Sequence, residues 1–307
     1  MSKTVEEGDP LSLLLRKVSF AARIFFSGEY CGNWGVDTSG SRHVPFHLVT
    51  QGEGWLHADS AAPRRLLAGQ LVLFPNDAAH VLTASGAEPD PAIINRPPPL
   101  RMEGPVTRLV CGYFLFNRRV AEPLLASLPP TMVFGITDSA SASARELAQL
   151  WMREAAQPQL GSDLAIDRLA ELVFVQMLRA ELAAGRLKGL LGALADPSLG
   201  PVLALIHRFP GREHSVPSLA TIAHMSESAF SQRFKREVGL TPGQYVKHWR
   251  MQAAANALTD TVESMGAIAE NVGYESEAAF RKAFRAYFGV APGRWRRESR
   301  VAKERGE

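Results

Sequence analysis

An internal repeat in the C-terminal third of the chain constrains the fold more than any other feature of the sequence. Residues 229–245 read AFSQRFKREVGLTPGQY and residues 279–295 read AFRKAFRAYFGVAPGRW, with six identities at an offset of 50. In each copy, two phenylalanines four positions apart are followed by a glycine and then a proline. Because a spacing of four places two side chains on one face of an α-helix, the repeat predicts two similar helical units.

Each unit has the start and stop signals of a helix-turn-helix. Ser226 and Ser276 stand where a serine side chain caps the N-terminus of the second helix. Gly239 and Gly289 follow, and glycine ends a helix readily because it adopts the left-handed conformation. A proline three residues later stands where the helix could not have continued. A short apolar segment before each serine predicts the first helix of the unit.

A helical wheel divides each second helix into an apolar face and a polar face. The apolar stripes are Phe230, Phe234 and Val238 in the first unit, and Phe280, Phe284 and Phe288 in the second. The polar faces carry side chains that donate to phosphates and base edges. We therefore take as candidate DNA-binding residues Ser228, Ser231, Gln232, Lys235, Arg236, Arg281, Lys282 and Arg285. A solvated basic face would explain one such helix, but not two copies with the same caps.

The segment between the two units and the distribution of charge both favour a nucleic-acid partner. Residues 243–258 predict a single helix, which would hold the two polar helices apart. A separation near ~34 Å would let both enter successive major grooves of one duplex. From residue 200 onward the chain has 16 Lys and Arg against 11 Asp and Glu, a net charge of +5, whereas the remainder has 18 against 20. A basic C-terminal part indicates a polyanionic partner.

Residues 216–297 resemble the DNA-binding domain of the AraC/XylS family of bacterial transcription regulators. The match includes SLATIAHMSESAFSQRFKREVGLTPGQYVKHWRMQAAANAL and IAENVGYESEAAFRKAFRAYFGVAPGRWRR. The second unit retains the GYES turn, the Phe-x-x-x-Phe pair and the Gly-x-x-Pro exit. The resemblance implies an all-α domain in which Ser231, Gln232, Lys282 and Arg285 lie where relatives touch DNA.

The N-terminal half has the alternating pattern of β-strands instead of helical periodicity. Short alternating or apolar runs between residues 20 and 135, separated by Gly, Pro, Asp and Ser, predict an antiparallel barrel or sandwich. GQLVLFPNDAAH at 69–80 resembles the second cupin motif, and HVPFHLVTQGEG at 43–54 resembles the first. Residues 10–135 therefore resemble the cupin-type sensor domains of AraC-like regulators, which implies a cupin-like β-barrel that senses a signal.

Helical periodicity returns at 139–156 and 163–184 and predicts a helical hairpin. The resemblance implies a homodimer formed through residues 139–184; a hairpin that packs only on its own barrel is the alternative. Glycines and prolines over 185–201 predict a hinge or linker. The expected domains are 1–135 (sensor), 136–195 (hairpin and linker) and 200–297 (DNA-binding).

The two cysteines and the motif histidines are candidate metal ligands. His47 and His80 belong to the cupin motifs, which bring histidines to one interior point, and Cys31 and Cys111 are the only cysteines. Together they would make a Cys₂His₂ set suited to one metal ion, with zinc as the first choice. Two alternatives stay open: a redox-responsive thiol pair, or two buried thiols beside two hydrogen-bonded histidines.

Composition excludes several classes of protein. At 46% hydrophobic and 21% charged residues the chain is neither disordered nor disulfide-stapled. The early acidic residues and the short apolar run near residue 11 do not resemble a signal peptide, and no run of about 18 apolar residues occurs, so we expect a cytoplasmic protein without a membrane partner. The favoured function is a DNA-binding transcription regulator, not an enzyme, that responds to an unknown effector, metal or redox signal, with RNA polymerase as a further candidate partner. The alternatives are a cupin metalloenzyme (oxygenase or isomerase) with a DNA-binding appendage, and a structural partner-binding protein.

Overall fold

The computed structural model describes residues 9–18, 20–58, 62–96, 104–116, 118–136 and 141–305. The chain forms two compact units. The β unit comprises Ser19–Leu187, and the helical unit comprises Met1–Val18 together with Lys188–Glu307. The β unit is therefore inserted between two parts of the helical unit, and the chain passes from one unit to the other twice.

All strand pairs that the structure describes in the β unit are antiparallel. The strands are β1 (Ala21–Cys31), β2 (Gly35–Val36), β3 (Val44–Gln51), β4 (Glu53–Ala58), β5 (Arg64–Leu67), β6 (Gln70–Leu73), β7 (His80–Thr83), β8 (Val106–Leu115) and β9 (Met132–Gly135). One sheet has the order β1-β8-β3-β6-β9 and the other β2-β7-β4-β5. The strand pairing of the described residues does not close these two sheets into the predicted barrel.

The core of the β unit lies between the two sheets. Val49 on β3 and Val72 on β6 contribute from one sheet, and Leu56 on β4 and Leu82 on β7 from the other. Trp34, between β1 and β2, joins the same cluster. Because successive side chains of a strand point to opposite faces, one face of each sheet supplies these apolar residues to the shared interior.

The helices in chain order are α1 (Pro10–Lys17), α2 (Arg118–Leu125), α3 (Ala142–Ala156), α4 (Ser162–Ala183), α5 (Gly189–Ala195), α6 (Leu199–Arg208), α7 (Val216–Ile222), α8 (Glu227–Val238), α9 (Pro242–Asp260), α10 (Met265–Asn271), α11 (Glu277–Phe288) and α12 (Pro292–Arg305). No single helix of the described segments is long and apolar enough to cross a membrane. Helices α5 and α6 together are long and apolar enough for a membrane span, but they meet at a bend of 102°.

Helices α3 and α4 form the predicted hairpin, and one side of it packs on the larger sheet. The buried ring of Trp151 on α3 contacts Phe46 of β3. Phe174 on α4 lies 4.7 Å from Phe114 of β8 between ring centroids. Carboxylates of α4 also accept hydrogen bonds from two backbone amides of the edge strand β1, at 2.8 and 3.1 Å. The hairpin is therefore part of the β unit.

The helical unit begins with α1, which the domain prediction had placed with the barrel. Asp9 caps this helix by accepting from the amide of Ser12 at 2.9 Å. Leu14, Leu15 and Val18 are buried, and α1 packs against α5, α6 and α9. A helical wheel places these apolar residues on one side of α1, and that side must be covered by other helices.

The predicted linker over 185–201 contains helix α5 and the start of α6 instead. Leu190, Leu191 and Leu194 on α5 are buried, and their burial offsets the poor helix propensity of the neighbouring glycines. Asp196, between α5 and α6, accepts from the amide of Leu199 and pairs with Arg233 of α8 at 2.6 Å. The prediction of a linker over 185–201 was wrong because it gave more weight to the glycines than to the leucines that α5 buries.

Candidate functional site

The first helix-turn-helix consists of α7 and α8. Ser226 caps α8 by accepting from the amide of Ala229, and Gly239 ends it with φ +83°. Phe230, Phe234 and Val238 are buried, which confirms the predicted stripe. Because the apolar stripe faces the core, the opposite side of α8 is held towards solvent.

The second helix-turn-helix consists of α10 and α11 and repeats this arrangement. Ser276 caps α11 through the amide of Ala279, and Gly289 ends it with φ +75°. The buried stripe is formed by three phenylalanines, Phe280, Phe284 and Phe288, again as predicted. Trp295 on α12 closes the cluster over the rings of Phe284 and Phe288.

The candidate DNA-binding residues lie on the solvent side of both second helices. Seven of them are exposed and Ser231 is half-buried; the exposed ones are Ser228, Gln232, Lys235, Arg236, Arg281, Lys282 and Arg285. Arg236 pairs with Glu237, and Arg281 pairs with Glu277 one turn earlier. Within the described part of the chain, Lys235, Lys282 and Arg285 make no ion pair, so their charges are available to a ligand.

The second unit also has a concave basic surface. It encloses about 620 Å³ and is lined by Arg281, Lys282, Arg285, Ala286, Ala291 and Pro292. Pro292 is the first residue of α12, so the positive end of that helix dipole lies beside the three cationic side chains. Three cations without a carboxylate in the lining make this surface suited to a phosphate group.

Helix α9 joins the two units and takes part in both cores. Near its start, Tyr245 is buried against Phe234, and its hydroxyl lies 2.7 Å from Nε2 of His207 on α6. Towards its end, Met251 and Leu258 belong to the cluster around the α11 phenylalanines. One helix with an end in each core confirms the predicted single connection.

Arg250 on α9 is a candidate functional residue that was not predicted from the sequence. Its guanidinium donates to backbone carbonyls of residues that are 23 to 40 positions away in the chain. The only local signal is a charged residue between Trp249 and Met251, both of which are buried.

In the β unit, the two motif histidines come together with one threonine. His47 on β3 is fully buried, and its Nε2 lies 3.3 Å from Nε2 of His80 on β7. The hydroxyl of Thr38 lies 3.0 Å from the first nitrogen and 2.8 Å from the second. Nδ1 of His80 lies 2.7 Å from the carbonyl oxygen of Ala78.

These distances assign the protons. The Ala78 carbonyl only accepts, so Nδ1 of His80 carries a proton and its Nε2 has the lone pair. The Thr38 hydroxyl then donates to His80 and accepts from Nε2–H of His47. Nδ1 of His47 is consequently a buried acceptor, and it has no hydrogen-bond partner among the described residues.

Burial keeps both histidines neutral. It lowers the pKa of His47 well below 6.5, and the neighbouring His80 lowers it further. Burial also lowers the pKa of His80, although the Ala78 carbonyl and the charges of Asp37 and Asp77 oppose that effect. The pair is therefore uncharged at neutral pH.

The structure does not bring the four predicted metal ligands together. Cys111 lies opposite His47 across the β3–β8 ladder, but Cys31 pairs with Val106 at the far end of β1. Five residues of strand separate those two ladder positions, or about 16 Å. In the described segments, no group of three or more His, Cys, Asp or Glu side chains is arranged to hold a metal ion. Both cysteines are buried, and neither forms a disulfide with another described residue.

A cavity of about 420 Å³ opens beside this cluster. It is lined by Phe25, Phe26, Tyr30, Val36, Asp37, Thr38, Asn95, Arg96, Cys111 and Tyr113. Burial raises the pKa of the Cys111 thiol far above neutrality, so this sulfur is a poor nucleophile at pH 7. Arg96 is exposed and makes no ion pair in the described part of the chain, so its charge can meet an anionic group.

Comparisons with known proteins agree with this two-part architecture. A family model described as cupin matches residues 9–183, more than half of the chain, and one described as helix-turn-helix domain matches residues 219–298. An AraC-like transcription regulator of Streptomyces lividans is 31% identical over 279 residues, which cover 87% of this chain and 90% of that protein. The chain belongs to the AraC-like transcriptional regulators.

Other relatives of this AraC-like regulator carry the same kind of name. The HTH-type transcriptional regulator MtrA of Neisseria gonorrhoeae is 30% identical over 241 residues, covering 75% of this chain and 78% of that protein. The RCS-specific HTH-type transcriptional activator RclR of Escherichia coli is 30% identical over 234 residues, covering 75% and 76%. Among solved structures, the DNA-binding domain of AdpA in complex with a target DNA has a TM-score of 0.34 at 27% identity, covering 36% of this chain and 98% of that one.

Proposed function

We propose that this AraC-like regulator reads DNA with α8 and α11 placed in two successive major grooves of one duplex. The observation that carries the proposal is the repeat itself: two exposed polar helices with the same caps and the same buried stripe, joined by a single helix. Unpaired cations would supply salt-dependent affinity, and Ser231 and Gln232 would contribute base contacts. The basic concave surface at α11 and α12 would hold a backbone phosphate.

The test is duplex binding by a variant that lacks two of the free cations. A bound duplex is first obtained by selection from a random library with the full-length protein. For Lys282→Ala with Arg285→Ala, we expect the Kd to rise at least about 100-fold, since each good contact is worth about 1–3 kcal/mol. The slope of log K against log [KCl] should also fall by about 1 to 2.

The control carries the same change in charge elsewhere in the helical unit. Lys188→Ala with Lys247→Ala removes two exposed cations that lie outside α8 and α11. This control should bind within about threefold of the unchanged protein, as expected for screened surface charges. Equal losses in both double variants would contradict the assignment of α8 and α11 as the reading helices.

The β unit is proposed to sense a small molecule in the 420 Å³ cavity. Four aromatic residues in its wall and the unpaired Arg96 favour an aromatic or apolar body with an anionic group. Hydrogen bonding to Thr38 would connect such a ligand to the buried histidine pair. A closed zinc site needs four ligands, and among the described residues no group of three or more His, Cys, Asp or Glu side chains is arranged to hold a metal ion, so a small molecule fits this site better than zinc.

Dimerisation through the hairpin is the third part of the proposal. Leu164 and Leu172 on α4 and Leu150 on α3 are exposed by 63%, 50% and 41%. Two exposed leucines eight positions apart on α4, with another on α3, are suited to pack against the same surface of a second copy. We propose the cytoplasm as the place of action and RNA polymerase as a further partner at the promoter.

A further inference from the structure

One side chain joins the two helix-turn-helix units outside their cores. Arg250 projects from α9, and its Nε donates to the carbonyl of Pro210 at 2.9 Å. Nη2 donates to the carbonyl of Arg212 at 3.0 Å, and Nη1 to the carbonyl of Gly273 at 3.2 Å. The first two acceptors lie in the loop that leads into α7, and the third lies in the turn between α10 and α11.

The backbones of these two segments also touch each other. A Cβ atom added to Gly211 would overlap the carbonyl oxygen of Asn271, and one added to Gly273 would overlap the carbonyl oxygen of Gly211. Gly273 has φ +79°, which other residues rarely adopt. We call this contact, with the guanidinium of Arg250 laid across it, the inter-unit seam.

The seam supplies a constraint that α9 alone does not. Each end of α9 packs in one core, so a small bend or rotation along the helix would change the distance and angle between α8 and α11. The seam ties the entry of the first unit to the turn of the second at a third point, beside the middle of α9. A fork of rigid N–H donors fixes direction as well as distance.

We infer that Arg250 is a positioning residue that sets the spacing of DNA elements this regulator accepts. The inference rests on the proposed function, because it requires that α8 and α11 read two elements of one duplex. With the seam intact, the two helices present one fixed separation. Without it, each helix still reads its own element, but the pair tolerates elements that are closer or farther apart.

The experiment uses the full-length protein and the duplex selected above. Duplexes are made with the spacer between the two elements changed from −2 to +2 base pairs, and with either element scrambled. Binding is measured by fluorescence anisotropy for the unchanged protein, Arg250→Met, Arg250→Lys and Lys247→Met. Lys247→Met is the matched control because Lys247 lies on the exposed side of the same helix.

We expect the unchanged protein and Lys247→Met to lose at least about tenfold in affinity for a one-base-pair change, since the shift moves and rotates one element relative to the other. Arg250→Met should bind both single-element duplexes within about twofold of the unchanged protein. Its affinity should vary less than about threefold between the matched spacing and the shifted ones, because rigid joining no longer favours one geometry. Arg250→Lys, which keeps a single donor group, should lie between the two.

A folded Arg250→Met protein with an unchanged spacing profile would overturn the inference. The inference would also be overturned if Arg250→Met lost as much affinity for the single-element duplexes as for the duplex with the matched spacing. Arg250 would then act within one helix-turn-helix unit. If Arg250→Met does not fold, Gly211→Ala opens the seam from the opposite side and must broaden the profile in the same way. Failure of the proposed function would be a separate result. The double variant Lys282→Ala with Arg285→Ala would then bind the selected duplex as tightly as the unchanged protein.

Discussion

Acid should weaken the helical unit through His248, whose side chain connects α9 to α11. This side chain is 6% exposed, and its Nδ1 lies 2.5 Å from the hydroxyl of Tyr287 on α11. Burial lowers the pKa of His248 from 6.5 to about 4. The folded unit therefore holds the neutral imidazole, which accepts from the tyrosine hydroxyl.

The sign and size of the effect follow from this lowered pKa. Between pH 6.5 and 4 the unfolded chain binds a proton that the folded unit does not, so the stability that His248 contributes is complete above pH 6.5 and is lost as the pH falls towards 4. A pKa difference from 6.5 to about 4, at about 1.36 kcal/mol per pH unit, corresponds to about 3 kcal/mol by pH 4. Losses of this size are a large fraction of a domain's free energy of unfolding.

The assay compares the unchanged protein with His248→Asn, whose amide oxygen can still accept from Tyr287. Urea unfolding at pH 7, 6, 5 and 4 is followed by hydrogen exchange in peptides from α9, corrected for intrinsic exchange rates. The difference in unfolding free energy between the two proteins should change by about 3 kcal/mol from pH 7 to pH 4, with the loss in the protein that retains His248. Because the other histidines are common to both proteins, their titration cancels. Parallel pH profiles would refute the assignment.

Two further predictions test the β unit. Leu164→Asp with Leu172→Asp should convert the proposed dimer to a monomer in size-exclusion chromatography with light scattering, raising its Kd by two orders of magnitude or more because about 1.5–3 kcal/mol per leucine is lost. Leu67→Asp, at a residue 46% exposed on β5, should leave the oligomeric state unchanged, and a dimeric double variant would contradict the proposed hairpin interface. The dye 8-anilinonaphthalene-1-sulfonate should bind in the cavity once per chain. Its affinity should fall about tenfold or more in Cys111→Phe, which fills the space, and in Arg96→Ala, which removes the cation. Arg65→Ala is the control on an outer strand, and equal dye affinity in all four proteins would exclude this cavity as the ligand site.

Much of the helical unit was predictable because its signals are local. The predictions of the caps at Ser226 and Ser276, and of the glycines that end α8 and α11, were correct because each depends on a few neighbouring residues. The aromatic stripes followed from helical periodicity in the same way. The meeting of His47 and His80 was also anticipated, from the resemblance of their segments to cupin motifs.

Other features depended on partners far away in the chain. The burial of α1 in the helical unit requires the apolar surfaces of α5, α6 and α9, which no pattern within residues 10–17 reveals. Cys31 was grouped with Cys111 by residue type, but the antiparallel register of β1 and β8 separates their ladder positions by five residues.

By itself, the sequence determined the helices α8 and α11, their capped ends and the faces they expose, because helix periodicity and capping act over a few residues. Only the tertiary structure decided that Thr38 joins the two histidines while Cys31 stays apart from them, which helix covers which core, and which carbonyls Arg250 bridges. Those outcomes depend on strand register and on the packing of surfaces that are distant in sequence, and each acquires its geometry only when the chain has folded.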